Sequence, residues 1–114
     1  MKKSAKDQRW VFWDDIDSEA GGEKVKRKVL AYSKDLMCVE NHFETGSRGK
    51  LHSHPHTQIT YVVDGVFKFT IDGETKVVKK GDTMLKTDGV EHGCECVETG
   101  TLLDIFTPMR EDFV

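Results

Sequence analysis

From Val25 onward the chain is broken about every eight residues by a turn signal: ETGSRG, VDGV, IDGE, KKGD, TDGV and ETGT. Short stretches rich in Val, Ile, Thr, Phe and Tyr fill the gaps, and no segment sustains a helical apolar period for three turns. That rhythm predicts an all-β sandwich or barrel. At 114 residues there is material for one packed core and not for two. Residues 1–24 read differently. RWVFWDDIDSEAGGE sets Trp10, Phe12 and Trp13 ahead of an acidic, glycine-ended loop. A solvated tail has no use for those aromatics, so the segment is expected to be an arm packed on the barrel, residues 25–114, or on a partner subunit.

The formal charge of −3 and the interleaving of Lys with Asp and Glu leave no basic face for nucleic acid. Apolar runs are only a few residues long, so no membrane span is expected. Lys2 and Lys3 are not followed by an apolar stretch or a cleavage site, which places the protein in the cytoplasm as an expectation. Cys38, Cys94 and Cys96 are odd in number, and the last two stand too close for an easy bridge; reduced thiols in a reducing compartment follow.

The segment QITYVVDGVFKFTIDGE predicts a hairpin. With Asp64-Gly65 as a two-residue turn, Val62 pairs with Phe67, Thr60 with Phe69 and Gln58 with Ile71 on one face. That face buries two phenylalanines and reads as the interior. The opposite face carries Ile59, Tyr61, Val63 and Val66, too apolar for open water, and so suggests a homodimer. For the next turn, Asp72-Gly73, a three-residue loop that turns Val77 inward is expected.

Ahead of this segment stands GSRGKLHSHPHTQ. In a strand, residues two apart face one side, so His52 and His54 converge. Pro55 interrupts the ladder, so His56 leaves the row for a role at the rim, and Gln58 returns to the interior. Another histidine, His92, lies far along the chain in KGDTMLKTDGVEHGCEC. These residues resemble the cupin superfamily, marked by G-x5-H-x-H-x3-E-x6-G and then G-x5-P-x-G-x2-H-x3-N. Gly46, His52, His54, Gln58 and Gly65 match the first spacing, and Gly81, Thr87, Gly89, His92 and Cys96 the second. Gln58 replaces the glutamate, Thr87 the proline and Cys96 the asparagine. The resemblance implies a cupin-type double-stranded β-helix, or jelly-roll barrel. It also implies one divalent metal ion held by His52, His54, Gln58 and His92. Zn, Ni, Fe, Mn and Co all suit an imidazole-rich site. A neutral Gln58 leaves the ion its full charge, which disfavours oxidation to the trivalent state and favours Lewis-acid work on an anionic oxygen. Cys94 shares a strand face with His92 and is a small buried hydrophobe or, less simply, a thiolate ligand.

In TLLDIFTPMREDFV, alternation puts Leu102, Asp104 and Phe106 on one face. Asp104 is either a carboxylate in the cavity, suited to acid/base work, or a salt-bridged rim residue. Arg110, after Pro108, either returns over the mouth to grip a carboxylate or stands solvated, the commoner place for a C-terminal arginine. The chain from about Val25 to its end is similar to the KdgF-type pectin-degradation cupins, glutamine variant included. That resemblance implies conversion of 4,5-unsaturated monouronates, the products of pectate and alginate lyases, to linear 5-keto-4-deoxyuronate. It further implies Asp104, Phe106 and Arg110 as the catalytic set and a small anionic sugar as substrate. A non-catalytic metal- or sugar-binding cupin, a metal-dependent dioxygenase and a sugar isomerase are the alternatives on the same barrel.

Overall fold

A computed structural model of the chain describes residues 5–114; the first four residues of the expected arm lie outside the described residues. Nine strands form one sheet curled into the jelly-roll barrel: β1 (Ala5–Lys6), β2 (Glu19–Gly22), β3 (Val25–Ser33), β4 (Leu36–Phe43), β5 (Arg48–His52), β6 (Thr57–Ile71), β7 (Glu74–Lys79), β8 (Thr83–Lys86) and β9 (His92–Thr107). Single 3-10 turns stand at Trp13–Asp15 and Glu111–Phe113.

Strands β6 and β9 pair antiparallel along nearly their whole length, from Thr57 opposite Thr107 to Ile71 opposite His92. The first half of β6 also pairs with β8 and the second half with β7, while β9 pairs with β4 and β5. Asp64-Gly65 is therefore not a hairpin turn, contrary to the expectation. It is an irregularity inside one long strand, with register shifts between Val62 and Phe67. The Asp64 carboxylate accepts a hydrogen bond from the Thr101 backbone amide at 2.8 Å, so the dipeptide serves a bulge in a continuing ladder. Gly65 adopts φ +83°, and a Cβ there would lie 2.6 Å from Gly100 Cα; the two glycines let the strands touch where they bend.

The inward set survives this change, because alternation does not depend on where the strand ends. Gln58, Thr60, Val62, Phe67 and Phe69 are all buried. The true hairpin comes next. Asp72 and Gly73, both at positive φ, form a two-residue loop that pairs Ile71 with Glu74. The expected three-residue loop is thus wrong by one residue, and Val78 instead of Val77 packs on the core. Lys76 stands across from Phe69, but its side chain runs out to solvent.

Two apolar clusters fill the barrel. One gathers Val25, Phe43, Val62, Phe67, Phe69, Met84, Cys96 and Leu102, with the Phe43 and Phe67 rings edge-on at 5.4 Å. The other gathers Val29, Tyr32, Met37, Val39 and Phe106 under Met109 and Phe113. Fully burying such a side chain is worth about 1.5–3 kcal/mol. β1 and β2 both pair with β3, and the segment is fastened by Ile16 at 1% exposure. Its aromatics stay largely outside: Trp10 is 80% exposed, and Trp13 lies under the Lys28 ammonium. On the outer sheet face Cys38, Ile105, Ile59 and Leu85 stand side by side in one row across β4, β9, β6 and β8. Among the described residues no helix is long and apolar enough to cross a membrane.

Candidate metal centre

Strand β5 runs beside β9 so that His52 is the direct cross-strand neighbour of His92. The strand ends at His52, and His54 lies in the irregular segment before the bend at Pro55 and His56, not in the strand expected for it. That segment still turns it toward the pair. Ring centroids lie 4.5 Å apart for His52 and His92, 4.8 Å for His54 and His92, and 5.5 Å for His52 and His54. One ligand atom from each histidine falls within 4.8 Å of the others.

Each ring is fixed by its Nδ1. His52 Nδ1 lies 2.7 Å from Lys50 O, His92 Nδ1 3.0 Å from Val90 O, and His54 Nδ1 3.1 Å from His56 O. An Nδ1–H that donates to a carbonyl leaves the Nε2 lone pair free, and all three Nε2 atoms can then turn to one point. Burial pushes the His92 pKa down to about 4 and lowers that of His54, so both imidazoles are neutral, as a ligand must be. His92 Nε2 is itself buried and finds no hydrogen-bond partner among the described residues. A buried lone pair without a donor fits a cation.

Gln58 stands against the cluster. Its Nε2 donates to Asp104 Oδ1 at 2.8 Å, and its Oε1 sits 2.9 Å from His54 Nε2. With His54 donating from Nδ1, this sets two lone-pair carriers face to face. Flipping the amide cannot relieve it, because the carbonyl oxygen would then meet the Asp104 carboxylate. A cation between them does relieve it. The residues present therefore fit a metal held by three imidazole nitrogens and one amide oxygen. The carboxylate absent from the donor set stands one hydrogen bond behind it, on Asp104.

Asp104 is buried and faces the cavity, as one of its two expected placements has it. Besides the Gln58 bond, Oδ1 accepts from Thr60 Oγ1 at 2.5 Å, and Oδ2 accepts from Asn41 Nδ2 at 2.8 Å. Phe106, 2% exposed, meets the His54 ring edge-on at 5.7 Å. Arg110 does come back over the mouth, where its guanidinium sits 5.2 Å from the Phe106 ring. Its fork is already taken by Asp112, through bonds of 2.9 and 2.7 Å, and these hold the Asp112 carboxyl below its usual range. His56 donates to Met109 O at 3.0 Å and ties the C-terminal segment to the metal loop. Cys94 lines the cavity, but its thiol is pushed up to about 11 by burial and it stands outside the histidine cluster.

The cavity has a volume of about 840 Å³, and of the arginines that line it sequence reasoning found Arg110 and missed Arg27. Arg27 and Arg110 hold their guanidinium carbons 3.9 and 4.3 Å from the Phe113 ring centroid, and Arg27 is paired with Glu19 at 3.1 Å as Arg110 is with Asp112. Asn41 comes from β4, and nothing local in the sequence marks it. Lys86 is 1% exposed behind Thr60. The alternation of Thr83–Lys86 pairs Lys86 with buried Met84, a signal outweighed by the rule that lysines face water.

Residues 39–106 match the family model described as Cupin domain. Over 109 residues the chain is 38% identical to the pectin degradation protein KdgF of Dickeya dadantii (strain 3937), covering 94% of this chain and 99% of that protein. It is also similar to the crystal structure of an RmlC-like cupin from Shewanella frigidimarina, with TM-score 0.91, 38% identity, and 94% and 96% of the two chains covered. KdgF from Halomonas sp. superimposes with TM-score 0.89 at 30% identity, covering 94% and 99%.

The Gln58–Asp104 contact makes a sharp prediction for Gln58→Glu, which would restore the commoner cupin ligand. In metal-free protein the change sets two carboxylates 2.8 Å apart and removes a donor. Unfolding in denaturant should show a loss of about 2 kcal/mol, recovered when Asp104→Asn supplies a donor again. A metal-free Gln58→Glu protein as stable as wild type contradicts the contact.

Proposed function

The chain belongs to the cupin family, in the group of the KdgF pectin-degradation proteins, and from that premise we propose that it converts 4,5-unsaturated monouronates to linear 5-keto-4-deoxyuronate. The observation that carries this reading is the position of Asp104. It is a buried carboxylate facing the cavity, bonded to the residue that faces the histidine cluster, in a cavity that Arg27 and Arg110 also line.

The substrate is a cyclic enol ether bearing a carboxylate, and the reaction is an isomerisation. The C1 hydroxyl gives up its proton and becomes the C1 aldehyde carbonyl as the C1–O5 bond breaks, O5 becomes the C5 carbonyl oxygen, and the C4–C5 π pair takes a proton at C4. No electrons leave and no water is consumed, so one residue that accepts and returns a proton suffices. Asp104 is that residue. Its Oδ1 is fully engaged by Gln58 and Thr60, whereas Oδ2 keeps a lone pair beyond the Asn41 bond. A bound divalent ion supplies Lewis-acid polarisation of substrate oxygen. Arg110, with Arg27 beside it, orients the substrate carboxylate, which takes the place of Asp112 in the guanidinium fork. Phe106 forms the apolar wall that excludes water behind the sugar ring.

The partners in this reading are the small anionic sugar and a second copy of the chain. The apolar row of Cys38, Ile105, Ile59 and Leu85 is a flat sheet face of the kind that packs on its own two-fold mate. Ile59→Lys should turn a dimer into a monomer in size-exclusion chromatography with light scattering; a monomeric wild type contradicts the interface. Three free thiols support a reducing compartment, and the cytoplasm is the proposed location.

Turnover is tested with metal-loaded protein and unsaturated monouronate freshly released by a lyase, following loss of the ultraviolet absorbance of the conjugated double bond. Wild type should hasten the decay, and His52→Ala and Asp104→Ala should each cost about a hundredfold or more. Decay at the buffer rate, together with ligand-induced stabilisation, would instead identify a binding module.

A further inference from the structure

Between the two apolar clusters runs a buried polar chain that the proposed chemistry does not fully use. It begins at Lys86, on β8 beside Gln58 of β6. The Lys86 ammonium donates to Thr60 Oγ1 and, at 3.4 Å, to Met84 O; it lies 4.8 Å from the Phe69 ring centroid. Thr60 is 0% exposed and sits directly across from Asp104 on β9. An ammonium has donors only, so Thr60 Oγ1 must accept from Lys86, and its own proton is then committed to Asp104 Oδ1. A buried cation is costly unless it is paired, and Asp104 is a carboxylate whose charge favours the Lys86 ammonium. Burial pulls the Lys86 pKa down to about 8, which still leaves an ammonium at neutral pH.

We propose that Lys86 is a positioning residue for Asp104: acting through the Thr60 hydroxyl, it holds Oδ1 as an acceptor and leaves Oδ2 as the oxygen that faces the substrate. Without the ammonium, the Thr60 hydroxyl is free to turn its proton elsewhere. The carboxylate then loses one of its two Oδ1 donors and can rotate about its last bond. The Gln58 amide bond remains, so the four donors of the metal centre keep their arrangement. The effect falls on proton transfer and not on the hold on the sugar.

The inference rests on the uronate reading for its kinetic test and on geometry alone for its second test. Lys86→Met keeps the length of the stem and drops the ammonium; Thr60→Val keeps the ammonium and cuts the link. Each should lower kcat about tenfold or more and leave KM within about twofold, and neither should add to the loss in an Asp104→Asn background. A lysine that only supports the fold would cost the same factor whether residue 104 is Asp or Asn. Unchanged kcat in both variants, or losses that multiply with Asp104→Asn, overturn the proposal. The second test is an unfolding cycle on metal-free protein with Lys86→Met, Asp104→Asn and the double variant. The double variant should lose less stability than the two single losses summed, because each single change strands the other charge. Additive losses overturn the proposal. A wild type without uronate turnover but with a coupled unfolding cycle removes the substrate reading and keeps the Lys86–Asp104 link.

Discussion

Gln58 Nε2 donates to Asp104 Oδ1, and that hydrogen bond decides which way the Gln58 amide faces. A free amide can present either its oxygen or its nitrogen to a neighbour. Here the carboxylate holds the nitrogen, so the oxygen turns to the histidines. The same bond carries charge. A carboxylate that pulls on the N–H makes the amide oxygen more basic, and a cation there would feel Asp104 at one remove. The glutamine that departs from the usual cupin pattern is thus explained by a residue 46 positions later. A glutamate at that place would set two carboxylates against each other at this distance.

The barrel makes this contact possible by running two long strands through its whole body. β6 supplies Gln58 and Thr60, and β9 supplies His92, Asp104 and Phe106. Their continuous pairing fixes the relative position of residues that loops alone would leave loose. The bend at Gly65 and Gly100 lets the same two strands close the barrel and line its cavity. Polar residues occupy the waist between two apolar clusters, so water is kept off the inner side while the mouth stays open under Arg27 and Arg110. Such a site combines an apolar back with a lining that includes two arginines, each paired with a carboxylate.

Much of this was legible from pattern alone. Regular turn signals announced the all-β class, and alternation along an assumed hairpin assigned Val62, Phe67 and Phe69 to the interior, whereas for Asp104 it left cavity and rim both open. The histidines could be grouped because their spacing joined a local pair to a remote third. What escaped was information held in the register. Asp64-Gly65 has the chemistry of a hairpin turn, and only the presence of β9 along both halves of β6 turns it into a bulge. Asn41 and Lys86 matter because of what stands opposite them, which no local window contains. Lys86 was also hidden by a sound rule, since a lysine is seldom fully buried unless it is paired.

The central claim is that three Nε2 atoms and one amide oxygen converge on a single cation, with the amide held from behind by Asp104. Diffraction from metal-loaded crystals at the absorption edge of the bound metal tests it most directly. One anomalous peak is expected, about 2.0–2.2 Å from Nε2 of His52, His54 and His92 and from Gln58 Oε1, with Gln58 Nε2 still bonded to Asp104. A peak bound through Nδ1, or one that leaves Gln58 outside its shell, would contradict the account.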